Sequence, residues 1–174
     1  NLPLELASLL RRAYGDVALE VIKTNPYLLV GEEFGVEFSQ ADALALSLGV
    51  GAEDPLRLEA GLLFELSHNL NNGHTFLPQH KLVGATAALL DGMPGELLEE
   101  RLEALLRRGE LEQEQVAGQE AVYLPALYEA ESFIAQRILE MSRAELASPS
   151  GLDRLIGRIE REQGISYAPQ QRLA

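Results

Sequence analysis

Glycine and proline divide the sequence into short segments, and within most of these segments apolar residues recur every three or four positions. This spacing places apolar side chains on one face of an α-helix, which can then be buried against other helices. With 47% apolar and 24% charged residues, the 174-residue chain has enough apolar surface for a packed core. We therefore predict a folded chain that is mainly α-helical.

Two of the predicted helices bear on the later argument. Asp54 and Pro55 mark the start of one helix, because proline is favoured at the first helical position. The apolar stripe predicted for this helix comprises Leu56, Ala60, Leu63 and Leu66. Ser39 followed by Asp42 predicts the start of another helix, at about residues 40–48, with Asp42 serving its N-terminus.

The periodicity changes after residue 109. Residues 110–116 and 120–124 alternate loosely around Ala117 and Gly118, which predicts a β-hairpin. A long helix follows, with an apolar stripe formed by Leu127, Ala130, Ile134, Ile138 and Met141. Three helices followed by a two-stranded hairpin is the element order of a winged helix. We therefore predict a winged-helix-like subdomain at residues 51–146, with its hairpin at about 110–124.

The loop from Phe34 to Phe38 contains Gly35 and lies between two predicted helices. A tight glycine hairpin can point backbone N–H groups outward, where a phosphate can accept hydrogen bonds from them. Gly35, Val36 and Phe38 are the candidate donors. Helix-hairpin-helix modules hold DNA in this way without reading its sequence, so one interpretation of the loop is a helix-hairpin-helix-like subdomain at residues 1–50. The alternative is a plain turn between helices, with Val36 and Phe38 in the core.

The chain is acidic, with 14 Lys and Arg against 27 Asp and Glu and a formal net charge of −13. The acid excess is concentrated in residues 31–60 and 91–120. This balance argues against a chain whose whole surface binds nucleic acid, although it allows a small basic face. The candidate phosphate contacts are Arg11, Arg12, Lys23 and Lys81. The alternative function is an acidic helical protein-interaction module that binds a basic partner and no DNA.

Several kinds of chemistry find no support in the sequence. The absence of cysteine excludes disulfides and thiolate metal sites. No phosphate-binding G-x-x-x-x-G-K-[ST] motif is present. His68, His74 and His80 are six residues apart, a spacing that no single helix face brings together. We therefore predict neither a catalytic residue nor a metal site in this chain. With no long apolar run, it should also not enter a membrane, and we expect a cytoplasmic protein.

Seven segments resemble, in order, parts of one known family. They are Tyr14-Gly15, Asn25-Pro26-Tyr27-Leu28, Gly35-Val36-Glu37-Phe38, Asp54-Pro55, Gly73-His74-Thr75-Phe76-Leu77-Pro78, Leu127-Tyr128 and Ala168-Pro169-Gln170-Gln171-Arg172. Together they resemble the N-terminal region of RecD-like DNA helicases (exodeoxyribonuclease V alpha type), in the stand-alone form with an N-terminal extension. Glu37 and Ser39 depart from the family hairpin, which usually has a glycine at the first position and often a basic residue at the second.

The resemblance implies that the parent protein is an ATP-dependent 5′–3′ DNA helicase of repair and recombination, which uses ATP and magnesium. This chain is then an accessory region that positions single-stranded or junction DNA, or docks on the ATPase core. Gln171 matches the family's glutamine that reads the adenine of ATP. Residues 147–174 are expected to lead into an ATPase core that the sequence does not contain. The chain itself holds no cofactor in this interpretation, and its start at Asn1 without Met suggests a part of a longer protein.

Overall fold

The computed structural model of the chain describes residues 5–31, 33–143 and 151–173. The helices are α1 (Leu6–Tyr14), α2 (Ala18–Thr24), α3 (Phe38–Ser47), α4 (Pro55–Leu70), α5 (Gln79–Leu89), α6 (Gly95–Arg107), α7 (Pro125–Arg143), α8 (Leu152–Gln163) and α9 (Pro169–Leu173). The strands are β1 (Phe76–Pro78), β2 (Glu112–Val116) and β3 (Gln119–Tyr123). Short 3-10 helices cover Gly15–Val17 and Pro26–Leu29. The prediction of a mainly α fold is confirmed.

The three strands form one antiparallel sheet in the order β1-β3-β2. The hairpin of β2 and β3 was predicted, and its two-residue turn has the left-handed backbone that such turns need, with φ of 50° at Ala117 and 80° at Gly118. Strand β1 was not predicted. It has only three residues, of which the last is Pro78, so no alternation of apolar residues reveals it.

Helix α4 is apolar on two sides, and this corrects the predicted stripe. Its buried side comprises Leu58, Gly61, Leu62 and Leu66. This side packs against α5 and α6. A Cβ at Gly61 would lie 3.1 Å from side-chain atoms of both Thr86 and Leu90, so the glycine allows close approach of α5. Of the predicted stripe, Leu66 is fully buried. Leu56, Ala60 and Leu63 are half-buried and pack against the core from the other side of the helix.

Helix α3 begins at Phe38, two residues before the predicted start. Glu37 occupies the N-cap position, and its backbone N–H donates to Oε1 of Gln40 at 3.4 Å. The predicted role of Asp42 at this N-terminus is therefore wrong. Asp42 lies one turn further along, where its carboxylate accepts hydrogen bonds from the buried Arg57.

The chain separates into two compact units, residues 1–133 and 134–174. The long helix predicted after residue 124 is present as α7, and the apolar side chains of its second half, Ile134, Ile138 and Met141, are exposed. The predicted subdomain boundaries after residues 50 and 146 remain predictions, and the second of them lies outside the described residues. None of the helices that the structure describes is long and apolar enough to cross a bilayer.

Candidate nucleic-acid interface

The predicted glycine hairpin is a tight loop that joins the 3-10 helix Pro26–Leu29 to α3. Oδ1 of Asn25 accepts from the backbone N–H of Tyr27 at 3.0 Å, which caps the 3-10 helix directly after the α2 terminus. The loop closes on itself, because Val36 forms β-bridges with the residues at the loop's start. Gly35 has a φ of 63°, a left-handed conformation that favours glycine.

The three predicted backbone donors differ in their surroundings. The N–H of Gly35 already donates to the carbonyl oxygen of Gly31 at 2.9 Å. Val36 and Phe38 bury their side chains, each with 3% exposure, as the alternative interpretation of the loop expects. Phe38 is also the first residue of α3, where N–H groups lack partners within the helix. The role of these amides as phosphate donors stays a prediction.

A buried ion pair holds the hairpin against the helices that follow it. Arg57 on α4 is 3% exposed and donates from Nε and Nη2 to the two carboxylate oxygens of Asp42, both at 2.8 Å. The hydroxyl of Tyr27 donates to the same carboxylate at 2.7 Å. Nη1 of Arg57 donates to the carbonyl oxygen of Ala52 at 3.1 Å. One carboxylate thereby joins the 3-10 helix before the hairpin, α3 after it, and α4.

The pKa shifts in this cluster keep the pair charged. Burial alone would raise the pKa of Asp42, but the hydrogen bonds from Arg57 and Tyr27 outweigh it and hold the pKa below its usual value. Burial and the bond to Asp42 raise the pKa of Tyr27, so its hydroxyl remains a donor. The bond to Asp42 likewise raises the pKa of Arg57. The cluster is therefore structural rather than a proton-transfer site.

A row of aromatic rings runs from the hairpin along α4. Successive ring centroids of Tyr27, Phe38, Phe64 and His68 are 5.7, 4.9 and 5.6 Å apart. Helix α4 continues through Leu70, so His68 is helical and lies exposed at the end of the row. The row and the buried ion pair together fix the position of the hairpin relative to α4.

The predicted phosphate contacts lie mainly on the first two helices. Arg11 and Arg12 are exposed on α1 and Lys23 on α2, and these two helices pack together. Arg11 lies 3.8 Å from Asp16 and Lys23 lies 3.2 Å from Glu20, in exposed pairs that contribute little to stability. These three are the exposed Lys and Arg side chains of the part of residues 5–76 that the structure describes. Lys81 is exposed on α5, outside this pair of helices.

The predicted adenine-reading residue, Gln171, lies in α9 in the second unit. Its side-chain oxygen accepts from the backbone N–H of Ala168 at 3.0 Å, at the start of that helix. The N–H of Tyr167 and the side chain of Arg172 both donate to Glu160 and lower the pKa of its carboxyl group. These contacts order the end of the chain. The nucleotide role of Gln171 stays a prediction.

The three histidines do not come together around a common centre. In the portion of the chain covered by the structure, no group of three or more His, Asp or Glu side chains is placed to hold a metal ion. The described hairpin region thus offers backbone amides, three exposed cations and a rigid frame.

A glycine loop that closes tightly between short helices and is fixed to them by buried contacts defines a helix-hairpin-helix domain. The comparison with known families agrees with this class of domain and points to one family within it. Residues 1–76 match the family described as the ATP-dependent RecD2 DNA helicase HHH domain. Residues 1–76 are therefore similar to the HHH domain of RecD2 helicases, and the resemblance to the N-terminal region of RecD-like helicases is confirmed. The match extends through α4 to the first residue of β1.

Proposed function

We propose that this chain is the DNA-engaging accessory region of an ATP-dependent 5′–3′ DNA helicase of repair and recombination, acting in the cytoplasm. The observation that carries the proposal is the match of residues 1–76 to the HHH domain of RecD2 DNA helicases, which supports a helicase-associated DNA-binding accessory domain. The chain positions single-stranded or junction DNA, or docks on the ATPase core. ATP and magnesium serve that core, to which Gln171 contributes, and the chain itself catalyses nothing.

Electrostatics favour the α1–α2 pair as the surface that contacts DNA. Arg11, Arg12 and Lys23 lie there, and phosphate neutralisation by such cations supplies most sequence-independent affinity. The hairpin itself exposes Glu33 and Glu37, whose carboxylates repel phosphate. In this proposal, the backbone N–H groups of Gly35, Val36 and Phe38 bind phosphate together with the cations on α1 and α2. Lys81 is a more distant candidate.

The second part of the proposal concerns the residues after the hairpin domain. The order α4-β1-α5-α6-β2-β3, with β1 beside β3, supports a winged-helix-like subdomain within residues 51–146. In DNA-reading helix-turn-helix relatives the final helix of the three enters the major groove. Here that helix is α6, with four glutamates and two arginines. We therefore expect this subdomain to support the hairpin or contact protein, and not to read DNA bases.

Replacing Arg11 and Arg12 together with Ala tests the proposed DNA surface. If both side chains touch phosphate, affinity for single-stranded DNA falls, and the slope of log affinity against log salt becomes shallower by about 1.4, at about 0.7 per phosphate contact. The measurement is fluorescence anisotropy of a labelled oligonucleotide over a range of salt concentrations. Both residues are exposed, so the fold should survive the substitutions.

The matched control is Arg101→Ala with Arg107→Ala on α6. It changes the net charge equally but removes cations from a helix rich in glutamate, so it should leave the slope unchanged. Equal slopes for the wild type and the Arg11/Arg12 variant would remove these two residues from the DNA surface.

A further inference from the structure

An open groove of about 900 Å³ lies between the hairpin loop and α4. Its hairpin wall includes Leu28, Val30, Gly31, Gly35, Glu37 and Phe38. Its other wall is the second apolar side of α4, which comprises Leu56, Ala60, Leu63, Phe64 and Leu70. The aromatic row and the buried ion pair hold the two walls in place, so the groove is a built feature of the fold.

The α4 wall is an apolar stripe that the chain leaves half-covered. Leu56, Ala60, Leu63 and Leu70 follow helical spacing, and each is only partly buried, while Leu28 opposite them is 40% exposed. An apolar stripe of a helix usually faces the core, whereas this stripe is only partly covered. A concave apolar surface that stays open to solvent, rimmed by polar groups, is typical of a site that binds another molecule.

The charged groups around the groove are acidic. Among the described residues, none of those lining the groove is Lys or Arg, whereas Glu37, Glu59 and Glu110 line it. Arg108, whose side chain is 44% exposed, bonds to Glu59 at 2.7 Å and to Glu110 at 2.6 Å. These three side chains leave one negative charge, and Glu37 adds a second. His68 is the remaining exposed titratable side chain of the lining.

We propose that this groove binds a protein segment that presents two or three apolar side chains flanked by Lys or Arg. The apolar side chains pack on Leu63 and Phe64, and the flanking cations face Glu37 and the pair formed by Glu59 and Glu110. Nucleic acid suits this groove less well, because Glu37, Glu59 and Glu110 outnumber the one cation bonded to them, Arg108, and repel phosphate. The inference adds a protein-binding site beside the proposed DNA surface and does not depend on that surface.

The test uses the 174-residue chain and a labelled amphipathic peptide of about 14 Leu and Lys residues, with the leucines three and four positions apart, long enough to form helix on binding. Leu63→Asp should weaken binding at least about tenfold, since it places a carboxylate at the centre of the apolar contact. Leu28→Asp, on the opposite wall, should act in the same direction. Glu37→Gln should weaken binding about two- to fivefold and reduce its salt dependence.

The controls separate the groove from general attraction to an acidic protein. Leu46→Asp changes a leucine of α3 that is 43% exposed and outside the groove lining, and Glu103→Gln removes a carboxylate from α6. Both should bind the peptide as the wild type does. In amide NMR spectra of the wild type, peptide-induced shifts should concentrate at the groove residues. Circular dichroism confirms that each variant is folded.

Three results would overturn the proposal. They are no binding by the folded wild-type chain, equal weakening by groove and control variants, and shifts that map elsewhere. None of the three bears on the salt-dependent DNA affinity that tests the proposed function.

Discussion

Replacing Arg57 with Met should lower the free energy of unfolding by about 3–5 kcal/mol, because it leaves the carboxylate of Asp42 buried without its charged partner. The Arg57 side chain is 3% exposed and that of Asp42 is 13% exposed, so water cannot easily replace the lost bonds. Tyr27 alone would remain as a donor to this carboxylate. Urea denaturation followed by circular dichroism measures the change.

The matched control for this substitution is Arg107→Met. Arg107 pairs with Glu103 one turn away on α6, where both side chains are about two-thirds exposed. Exposed pairs of this kind contribute little, so the control should unfold at nearly the wild-type urea concentration. Equal effects of the two substitutions would show that the Asp42–Arg57 pair does not hold the hairpin on α4.

The same pair gives stability a defined pH dependence. The folded pKa of Asp42 lies below the value of about 3.9 that an unfolded chain has. Its stabilisation is therefore fully present above the unfolded value and is lost as the pH falls through the folded one. The stability difference between the wild type and Asp42→Asn should consequently stay constant from about pH 7 to about pH 5 and shrink as the pH falls below about 3.9. A constant difference would contradict the account of this pair.

Adjacent leucines on α4 should respond very differently to truncation. Leu62→Ala should cost about 2–5 kcal/mol, because Leu62 is fully buried and its loss leaves a cavity between helices. Leu63→Ala should cost about 1 kcal/mol or less, because Leu63 is half-buried and faces the open groove. Urea denaturation of both variants under identical conditions gives the comparison.

This pair of variants separates two descriptions of α4. The sequence-based stripe puts Leu63 in the core, whereas the structure puts Leu62 there. A larger loss of stability for Leu63→Ala than for Leu62→Ala would support the sequence-based stripe and contradict the position of Leu63 at an open groove.

Periodicity predicted the helices well, yet it could not select the buried face of α4. That helix has apolar residues all around it, among them Leu58, Leu62 and Leu63, so several stripes satisfy the same spacing. Tertiary packing against α5, which the close approach at Gly61 allows, decides between them. The hairpin of β2 and β3 was predictable because its turn chemistry is local.

The candidate site was predictable in its residue types but not in its contacts. The glycine loop and the exposed cations Arg11 and Arg12 follow from local sequence and charge. The buried cluster does not, because Tyr27 and Arg57 each lie 15 residues from Asp42 and no local pattern links them. Sequence alone assigned Asp42 to a helix N-terminus, which is the usual place for such a carboxylate.

The most direct test of the central claim is the affinity of the complete 174-residue chain for a labelled forked DNA, measured by anisotropy at salt concentrations from about 50 to 200 mM. An HHH accessory domain that contacts phosphate should bind this DNA, and its affinity should fall steadily as salt rises. A folded chain that shows no binding at the lowest salt, or an affinity that salt leaves unchanged, would contradict the claim that residues 1–76 engage DNA.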